Sequence, residues 1–272
     1  MQNTFKLFAA IAVCAMLFAS CKKEPTPTPE PTIETGLEGQ FMPERKIASI
    51  ERFDLIGEDS LRPVLQDHYE WNGDLLSKIT QTQFAGAFVG SQTIHYDSLN
   101  RIAKIDYVQT DEEILNVLEY IYEGKELAKV KRYKENGELL VEYTFIRTDG
   151  KVTEIQKCTY METTEYSTET VVWEGDKIIQ MAIDEIPTDY TFDDKINPLS
   201  GLYDAEFYFN LEVVLPANNI LTSAMVIDQV GVNLTVTYNY EYDDKGYPVK
   251  ATFVQNLGFV STTTITKFTY LE

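Results

Sequence analysis

Apolar and polar residues alternate along most of the chain beyond Phe41, a pattern typical of β-strands that are buried on one face. In the clearest case, Leu234–Tyr242, one face carries Leu, Val and three Tyr, and the other carries Thr, Asn and Glu. Similar runs occur at 141–146, 169–173 and 265–270. Thr, Val, Ile and Tyr predominate in them, as a half-buried pleated surface prefers. The alternation therefore predicts an all-β domain.

Short polar turns separate these runs, and each begins with an aromatic or apolar residue followed by Asp, Asn or Glu and usually Gly. Asn-Gly, Asp-Gly and Glu-Gly pairs supply the positive φ angles that tight hairpins require. The pattern begins at positions 71, 96, 122, 146 and 173, which are 25, 26, 24 and 27 residues apart. A repeat of that length holds two strands and two connections. We therefore predict a long antiparallel meander of repeated hairpins, curled into an open or closed barrel-like sheet.

Two stretches depart from the alternation. Thr110–Leu118 is compatible with a short helix that opens on a capping box, or with a polar loop that leads into a strand at Leu118–Tyr122. In the second stretch Tyr203 and Phe207 are four residues apart, which places them on one face of a helix. We predict a short helical or loop excursion near residues 199–212 that packs over one end of the sheet. Irregular connections often carry binding residues, so a ligand is expected there first.

The first twenty residues have the dimensions of an export signal. Lys6 precedes thirteen apolar residues, Leu7–Ala19. That run is shorter than the ~20 residues that span a bilayer, but it matches the apolar core of a signal peptide. The residues before Cys21 resemble a bacterial lipobox, although Phe18 stands where Leu is usual. The resemblance implies that residues 1–20 are removed and that Cys21 carries acyl chains, which would hold the protein on a membrane.

A proline-rich tract follows the cysteine. Residues 22–40 contain four of the ten prolines, alternating with Thr and Glu, a composition that favours extended polyproline II. At ~3.1 Å per residue the tract could extend roughly 60 Å. We therefore predict a signal peptide at 1–20, a lipidated Cys with a Pro-rich tether at 21–40, and a single β-repeat domain at 41–272.

Composition narrows the classes of function. The chain has 23 Lys and Arg against 43 Asp and Glu, a formal net charge of −20, and 12% aromatic residues. The acidic excess argues against a nucleic-acid partner, because phosphate contacts need a basic surface. The apolar and aromatic content is sufficient for a hydrophobic core. With Cys14 removed and Cys21 acylated, Cys158 remains alone, so we expect no intramolecular disulfide and interpret Cys158 as a small buried hydrophobic residue.

The sequence lacks the common catalytic motifs: the nucleophile elbow, His-Glu-x-x-His, the phosphate-binding loop and Cys-x-x-Cys. We therefore expect no enzyme activity, no cofactor and no metal. His68 and His95 lie on strands that enter the turns, and we interpret them as ordinary strand residues, with a shared metal site as the alternative. The acidic pairs 193–194 and 243–244 are interpreted as turn residues that bond their own backbone, with calcium binding as the alternative.

Aromatic residues recur where strands enter the repeat turns. If these rings were exposed along one edge, they would form a platform on which sugar rings stack. If they were buried, they would form the core of the curled sheet, which is the interpretation we prefer. Together with the excursion they define the candidate ligand-contact residues Trp71, Tyr96, Tyr122, Trp173, Tyr203 and Phe207.

The turn motifs carry a family resemblance. Tyr242-Asp-Asp-Lys-Gly resembles YD-type repeats. With the lipobox at Cys21, the returns of the Leu76–Ile79 type and the segment Phe192–Pro198, the chain resembles a Bacteroides-type family of Gram-negative lipoproteins, a domain of unknown function with a porin-like fold. The resemblance covers roughly residues 44–272. It implies a long antiparallel sheet curled toward a barrel, with no known activity and no catalytic residues.

A membrane-spanning barrel is not expected, because the strand around Leu127–Tyr133 places Lys129 and Lys131 on one face and Arg132 on the other. We expect an outer-membrane-anchored lipoprotein, periplasmic or at the cell surface. Its partners would be the membrane, through the lipid anchor, and a glycan or envelope protein, in a non-enzymatic binding or structural role. The alternatives are a carrier of a lipid or hydrophobic ligand in the concave sheet, and a carboxylate-based glycoside hydrolase, which needs two acids facing one cleft.

Overall fold

The computed structural model describes residues 38–272 except for 58–59, 85, 110–113, 161–162, 176, 184, 201–217, 228–231 and 257–259. The predictions for the signal peptide, for Cys21, for tether residues 22–37 and for Tyr203 and Phe207 of the excursion lie outside these residues. In the described part, no helix is long and apolar enough to cross a membrane.

The described chain is all-β and forms a closed barrel in which neighbouring strands are antiparallel and sequential. This confirms the predicted barrel-like meander and shows that the sheet closes. The strands are β1 (Ile47–Ile56), β2 (Ser60–Asn72), β3 (Leu75–Gln83), β4 (Phe88–Tyr96), β5 (Ile102–Gln109), β6 (Ile114–Glu123), β7 (Glu126–Lys134), β8 (Leu139–Thr148), β9 (Lys151–Tyr160), β10 (Thr164–Glu174), β11 (Lys177–Ile183), β12 (Ile186–Ile196), β13 (Asn218–Ile227), β14 (Val232–Tyr242), β15 (Pro248–Asn256) and β16 (Ser261–Tyr270).

Pairing between the first and last strands closes the barrel. Ile50 lies opposite Phe268, and Phe53 lies opposite Ile265. Closure leaves no strand edge unpaired, which removes the usual template for edge-to-edge aggregation. We call the end that contains Ile47, Tyr270 and the turn between β2 and β3 the near end, and the opposite end, with the turn between β3 and β4, the far end.

A β-bulge recurs at the near-end turns. The register shifts between Glu70/Trp71, His95/Tyr96, Ile121/Tyr122, Ile146/Arg147, Val172/Trp173 and Glu241/Tyr242. In each case the extra residue lies in the strand after the turn, as Ser77 does in β3, so the strand before the turn keeps its alternation up to its last residues. The fourth repeat position is therefore Arg147, and the prediction of position 146 is wrong by one residue, since Ile146 is 37% exposed.

The hydrophobic core lies inside the barrel and is built mainly by alternate residues of β3 to β12. On β8, Val141, Tyr143 and Phe145 are buried, whereas Glu142 and Thr144 between them are only half-buried. The core also contains Leu76, Ile79, Ile94, Ile102, Ile105, Leu118, Tyr120, Leu127, Val130, Val152, Ile155, Val171, Ile178, Met181 and Tyr190. The same alternation defines an inner face on each strand and an outer face that carries mostly polar residues.

Two local expectations are resolved by this pattern. The stretch with two possible readings forms a strand from Ile114 onward, as the loop-and-strand alternative predicted. Cys158, in contrast, is only half-buried, so the expectation of a buried thiol is wrong. Alternation from the buried Ile155 places Cys158 on the outer face, where it pairs with Glu142 and with Tyr166, which is 79% exposed.

Candidate functional site

Residues 38–46 lie across the near end, and we call this segment the strap. The Glu38 N–H donates to the Lys125 carbonyl at 3.1 Å, and the Ile102 N–H donates to the Gly39 carbonyl at 2.9 Å. The Glu38 carboxylate accepts a hydrogen bond from the Leu127 N–H at 2.6 Å and forms an ion pair with Arg147. Residues 38–40, which the sequence placed in the tether, therefore belong to the packed structure.

The rest of the strap continues to the opposite side of the near end. Phe41 is fully buried, and its ring stacks on Trp71 with centroids 5.8 Å apart. Arg45 forms an ion pair with Asp243, and its guanidinium lies 4.5 Å from the centre of the Tyr270 ring. The strap thus contacts distant hairpins before the chain enters β1.

The four candidate aromatics that the structure describes occupy equivalent positions and make the same hydrogen bond. Each donates from its ring nitrogen or hydroxyl to the carbonyl of a residue at the near end of the preceding hairpin or strand. The bonds are Trp71 to Ile47 at 2.8 Å, Tyr96 to Leu76 at 2.7 Å, Tyr122 to Ile102 at 2.7 Å and Trp173 to Val152 at 2.7 Å. Arg147 fills the missing position with a bond to the Leu127 carbonyl at 2.7 Å.

Basic side chains lie over three of these rings. Arg101 lies 4.0 Å from the centre of the Tyr122 ring, Lys151 lies 5.5 Å from that of Trp173, and Lys46 lies 5.9 Å from that of Trp71. Such cation–π contacts stabilise the stacked arrangement. All four candidate aromatics pack against the core while remaining half-buried. The near-end rings therefore serve the fold with both their polar atoms and their faces.

Burial of these phenols changes their acidity. Desolvation raises the pKa of Tyr96 to about 12, although the bond to the Leu76 carbonyl acts in the opposite direction. Burial also raises the pKa of Tyr190 and Tyr240 on the inner face. These hydroxyls therefore stay neutral near pH 7 and act as hydrogen-bond donors.

A band of buried polar residues lies on the inner face beyond the apolar core. Asp67 forms an ion pair with Arg52 at 2.7 Å and accepts a hydrogen bond from the Gln81 side chain at 2.9 Å. Further along the band, Arg132 donates to Asn116 at 3.2 Å. Apolar core side chains fill one layer of the barrel interior, and these polar side chains fill the layer beside it. A lipid bound in this part of the barrel would have to displace both sets of side chains. This weighs against the carrier alternative.

The structure does not bring the two histidines together. His68 pairs with Thr80, and Thr80 pairs with Ser91, which is four residues from His95 on β4. At ~3.3 Å per residue the two imidazoles are offset by about 13 Å along the strand direction. The His95 imidazole instead lies 2.8 Å from Asp106. Among the described residues, no group of three or more His, Cys, Asp or Glu side chains could hold a metal ion.

Each acidic pair contributes a carboxylate that bonds backbone N–H groups, Asp243 in the turn after β14 and Asp193 within β12. The Asp243 carboxylate accepts hydrogen bonds from the Lys245 N–H at 3.0 Å and the Tyr247 N–H at 2.9 Å. Burial opposes ionisation of Asp243, but these bonds and the Arg45 guanidinium hold its pKa below the usual value. Asp193 accepts bonds from the Lys195 and Asn219 N–H groups, each at 3.0 Å. Both carboxylates fix local backbone.

A groove lies at the far end of the barrel, among the described residues. It has a volume of about 390 Å³ and is lined by Pro63, Val64, Gln83 and Phe84. The groove could not be predicted from the sequence, because its lining residues come from two strands and a turn that carry no repeat motif. The one available signal was Phe84, an aromatic residue beside a short Ala-Gly-Ala turn.

No protein-family model and no curated protein sequence matches the chain. Among solved structures, the chain is similar to a porin-like protein from Bacteroides uniformis ATCC 8492, with 17% identity and a TM-score of 0.56 over 86% of this chain and 100% of that chain. A porin-like protein from Bacteroides vulgatus ATCC 8482 matches with 12% identity and a TM-score of 0.37 over 84% of this chain and 99% of that chain. The first of these likenesses shows that the described barrel has a porin-like fold.

Proposed function

We propose that this protein is an outer-membrane-anchored lipoprotein whose barrel has a non-enzymatic binding or structural role in the cell envelope. The strap carries this proposal. Because Glu38 and Gly39 are bonded at the near end, the tether joins the barrel there. With acyl chains on Cys21, the near end would be the side connected to the membrane, and the far end would be available to a partner, a glycan or an envelope protein.

The outer face supports a barrel that stands outside the lipid. Glu142 lies in the middle of β8 and forms ion pairs with Lys129 at 2.8 Å and Lys131 at 3.1 Å. The hydrogen bond from Lys129 is the main reason that the pKa of Glu142 lies below its usual value. A bilayer would have to desolvate these charges, which a lipid-facing band of a transmembrane barrel tolerates poorly. A water-exposed location in the periplasm or at the cell surface imposes no such cost.

The arrangement of the acids supports a non-enzymatic role. Asp67, one of two buried acids on the inner face with Glu169, is paired with Arg52, and Asp193 and Asp243 are held by backbone N–H groups. A glycoside hydrolase needs two carboxylates that face one cleft, with one of them able to hold a proton. The far-end groove has no carboxylate among its lining residues. We therefore rank hydrolysis below binding.

Membrane fractionation of wild-type and Cys21→Ala proteins tests this proposal. The wild type should sediment with the outer membrane and incorporate labelled palmitate. The Cys21→Ala variant should take up no label and, once exported, should leave the membrane in a carbonate wash, because its charged outer face holds no lipid. Retention of the unacylated variant in the washed membrane would show instead that the barrel itself is inserted.

A further inference from the structure

A row of side chains crosses the outer face of the barrel from β7 to β10. Lys131 lies opposite Glu142, Glu142 lies opposite Cys158, and Cys158 lies opposite Tyr166. Directly opposed residues of paired strands point to the same face of a sheet, and neighbouring strands lie about 4.8 Å apart. The four side chains therefore form one continuous line, in the half of the barrel that leads to the far end.

Two further tyrosines extend this row toward the far end. Tyr133 follows Lys131 by two residues on β7, and Tyr160 follows Cys158 by two residues on β9. Because side chains alternate along a strand, both tyrosines point to the outer face. Tyr166 is 79% exposed, whereas Tyr133 and Tyr160 are half-buried. We call Tyr133, Tyr160 and Tyr166 the tyrosine platform.

The Cys158 thiol restrains two rings of the platform. A hydrogen-bonding interaction with Cys158 is the main reason that the pKa of Tyr160 rises to about 12, and the same thiol raises the pKa of Tyr166. The two hydroxyl groups therefore converge on one sulfur atom. Tyr160 on β9 and Tyr166 on β10 thus lie beside each other, and less ordering is needed when a ligand binds to them.

The charged groups beside the platform are balanced. Glu142 forms ion pairs with Lys129 at 2.8 Å and with Lys131 at 3.1 Å, and Glu119 lies opposite Lys131 on β6. These four side chains together carry no net charge, although the whole chain carries −20. They place hydrogen-bond donors and acceptors next to the tyrosine rings, and they give a charged partner no local counterpart.

The platform differs in composition from a surface that holds an apolar peptide. The exposed aliphatic residues Ile146 on β8 and Val172 on β10 lie beside the near-end turns instead. At the platform the exposed apolar surface belongs to tyrosine, whose ring carries a hydroxyl group. A pyranose has the matching chemistry, because its C–H face packs on an aromatic ring while its hydroxyl groups need donors and acceptors around that ring.

We propose that the tyrosine platform binds an uncharged glycan chain, with pyranose rings stacked on Tyr160 and Tyr166 and with hydroxyl groups bonded to the neighbouring ion pairs. Tyr133 offers a further ring to a longer chain. An acidic glycan suits the surface less well, because the net charge of −20 repels it. The inference rests on the proposed function, in which the far end is available to a glycan, and it identifies the surface and the class of glycan.

Binding of the full-length protein, extracted from membranes in detergent, to a glycan array tests the proposal. The array carries oligosaccharides of glucose, mannose, galactose, xylose and N-acetylglucosamine, together with chains that contain uronic acids. The protein should bind at least one neutral oligosaccharide, and added salt should not weaken that binding, because no opposite charges meet across the interface. Calorimetric titration with that oligosaccharide then measures the affinity of each variant.

Three variants separate loss of the ring from loss of the fold. Tyr166→Ala should lower the affinity by at least about tenfold, because the exposed ring is lost. Tyr166→Trp keeps an aromatic face and should retain binding. Val172→Ala removes an exposed apolar side chain, 43% accessible, from the near end of the same strand and should also retain it. Thermal unfolding of each variant verifies that the barrel is intact.

Equal affinity of the wild type and the Tyr166→Ala variant would overturn the proposal, as would an array on which no neutral oligosaccharide binds. A preference for uronic acid chains that salt weakens would overturn it as well. Membrane fractionation of the same protein reports on the anchor separately. A protein that sediments with the outer membrane and binds no glycan would contradict the platform alone, and glycan binding by a protein that is not anchored would contradict the proposed anchoring alone.

Discussion

At the scale of residues, individual donor groups at the near end connect hairpins that otherwise meet only through strand pairing. The Tyr122 hydroxyl bonds the Ile102 carbonyl at 2.7 Å, and Arg101 covers the Tyr122 ring while it donates to the Gly124 carbonyl at 2.8 Å. Tyr122 and Arg101 thus link the hairpin of β6 and β7 to the preceding hairpin of β4 and β5. Without these bonds, the Tyr122 hydroxyl and the Arg101 guanidinium would need water as a hydrogen-bond partner.

Replacing Tyr122 with Phe tests the contribution of this hydroxyl. The change leaves the Ile102 carbonyl without this donor, and we expect the free energy of unfolding to fall by about 1 kcal/mol. Urea denaturation at pH 7 measures the change. The control is Tyr166→Phe on the outer face, where the side chain is 79% exposed. Equal stability of the two variants would mean that the bond contributes nothing.

The periodicity of these residues could be predicted, but their role could not. Trp71, Tyr96, Tyr122 and Trp173 stand out because aromatic residues recur at one spacing. Arg147 was not predicted, because it has no aromatic ring. The feature that it shares with the four aromatic residues is a donor atom at the end of a long side chain. The alternation of Val141, Tyr143 and Phe145 continues to Arg147, but Ile146 was assigned in its place because it is the apolar residue next to the turn.

At the scale of elements, the strap is a part of the fold that the alternation of residues does not reveal. It contributes no strand, and it follows a proline-rich tract whose composition predicts an extended tether. Its side chains nevertheless contact hairpins on both sides of the near end, from Arg147 to Asp243. The core strands, in contrast, could be recognised from the sequence, because apolar inward residues alternate with more exposed ones, as on β8.

Adjacent strap residues provide a matched test. Phe41 is fully buried against Trp71, and its replacement by Ala should lower the free energy of unfolding by about 3–5 kcal/mol, because a large cavity forms. Met42 is 52% exposed, and Met42→Ala should change stability by no more than about 0.5 kcal/mol. Guanidinium denaturation of both variants measures the difference. A Phe41→Ala protein as stable as the Met42→Ala protein would mean that the strap is not packed on the barrel.

At the scale of the whole molecule, the barrel encloses phenol groups that stay neutral to a higher pH than exposed phenol groups do. Burial raises the pKa of Tyr190, Tyr240 and Tyr270 above the ordinary value of 10.0. The closure that encloses them was left open by the sequence. It depends on pairing between β1 and β16 at opposite ends of the chain, which no local pattern encodes.

These phenols make the stability of the barrel dependent on alkaline pH. A group whose pKa is higher in the folded than in the unfolded state contributes its full stabilisation below the unfolded value, and the contribution is lost as the pH rises toward the folded value. With Tyr96 at about 12 and unfolded tyrosine at 10.0, stability should begin to fall above pH 10 and continue to fall toward pH 12. Urea midpoints recorded across this range measure the decline.

The Tyr240→Phe variant identifies the source of that decline. It removes one buried phenol, so its urea midpoint should fall less steeply with pH than that of the wild type. Lysine side chains also lose their charge in this range, but they do so equally in both proteins. Parallel curves would assign the alkaline sensitivity to the lysines and not to the interior tyrosines.

The strap also determines how tension applied to the chain before residue 38 would reach the barrel. Since Glu38 and Gly39 are bonded to the hairpins around Lys125 and Ile102 before the chain reaches β1, a pull on the tether loads those turns first. The ladder between β1 and β16 is shielded from direct unzipping as long as the strap holds. A chain pulled from its N-terminal side can in this way bear mechanical load without opening the seam between β1 and β16.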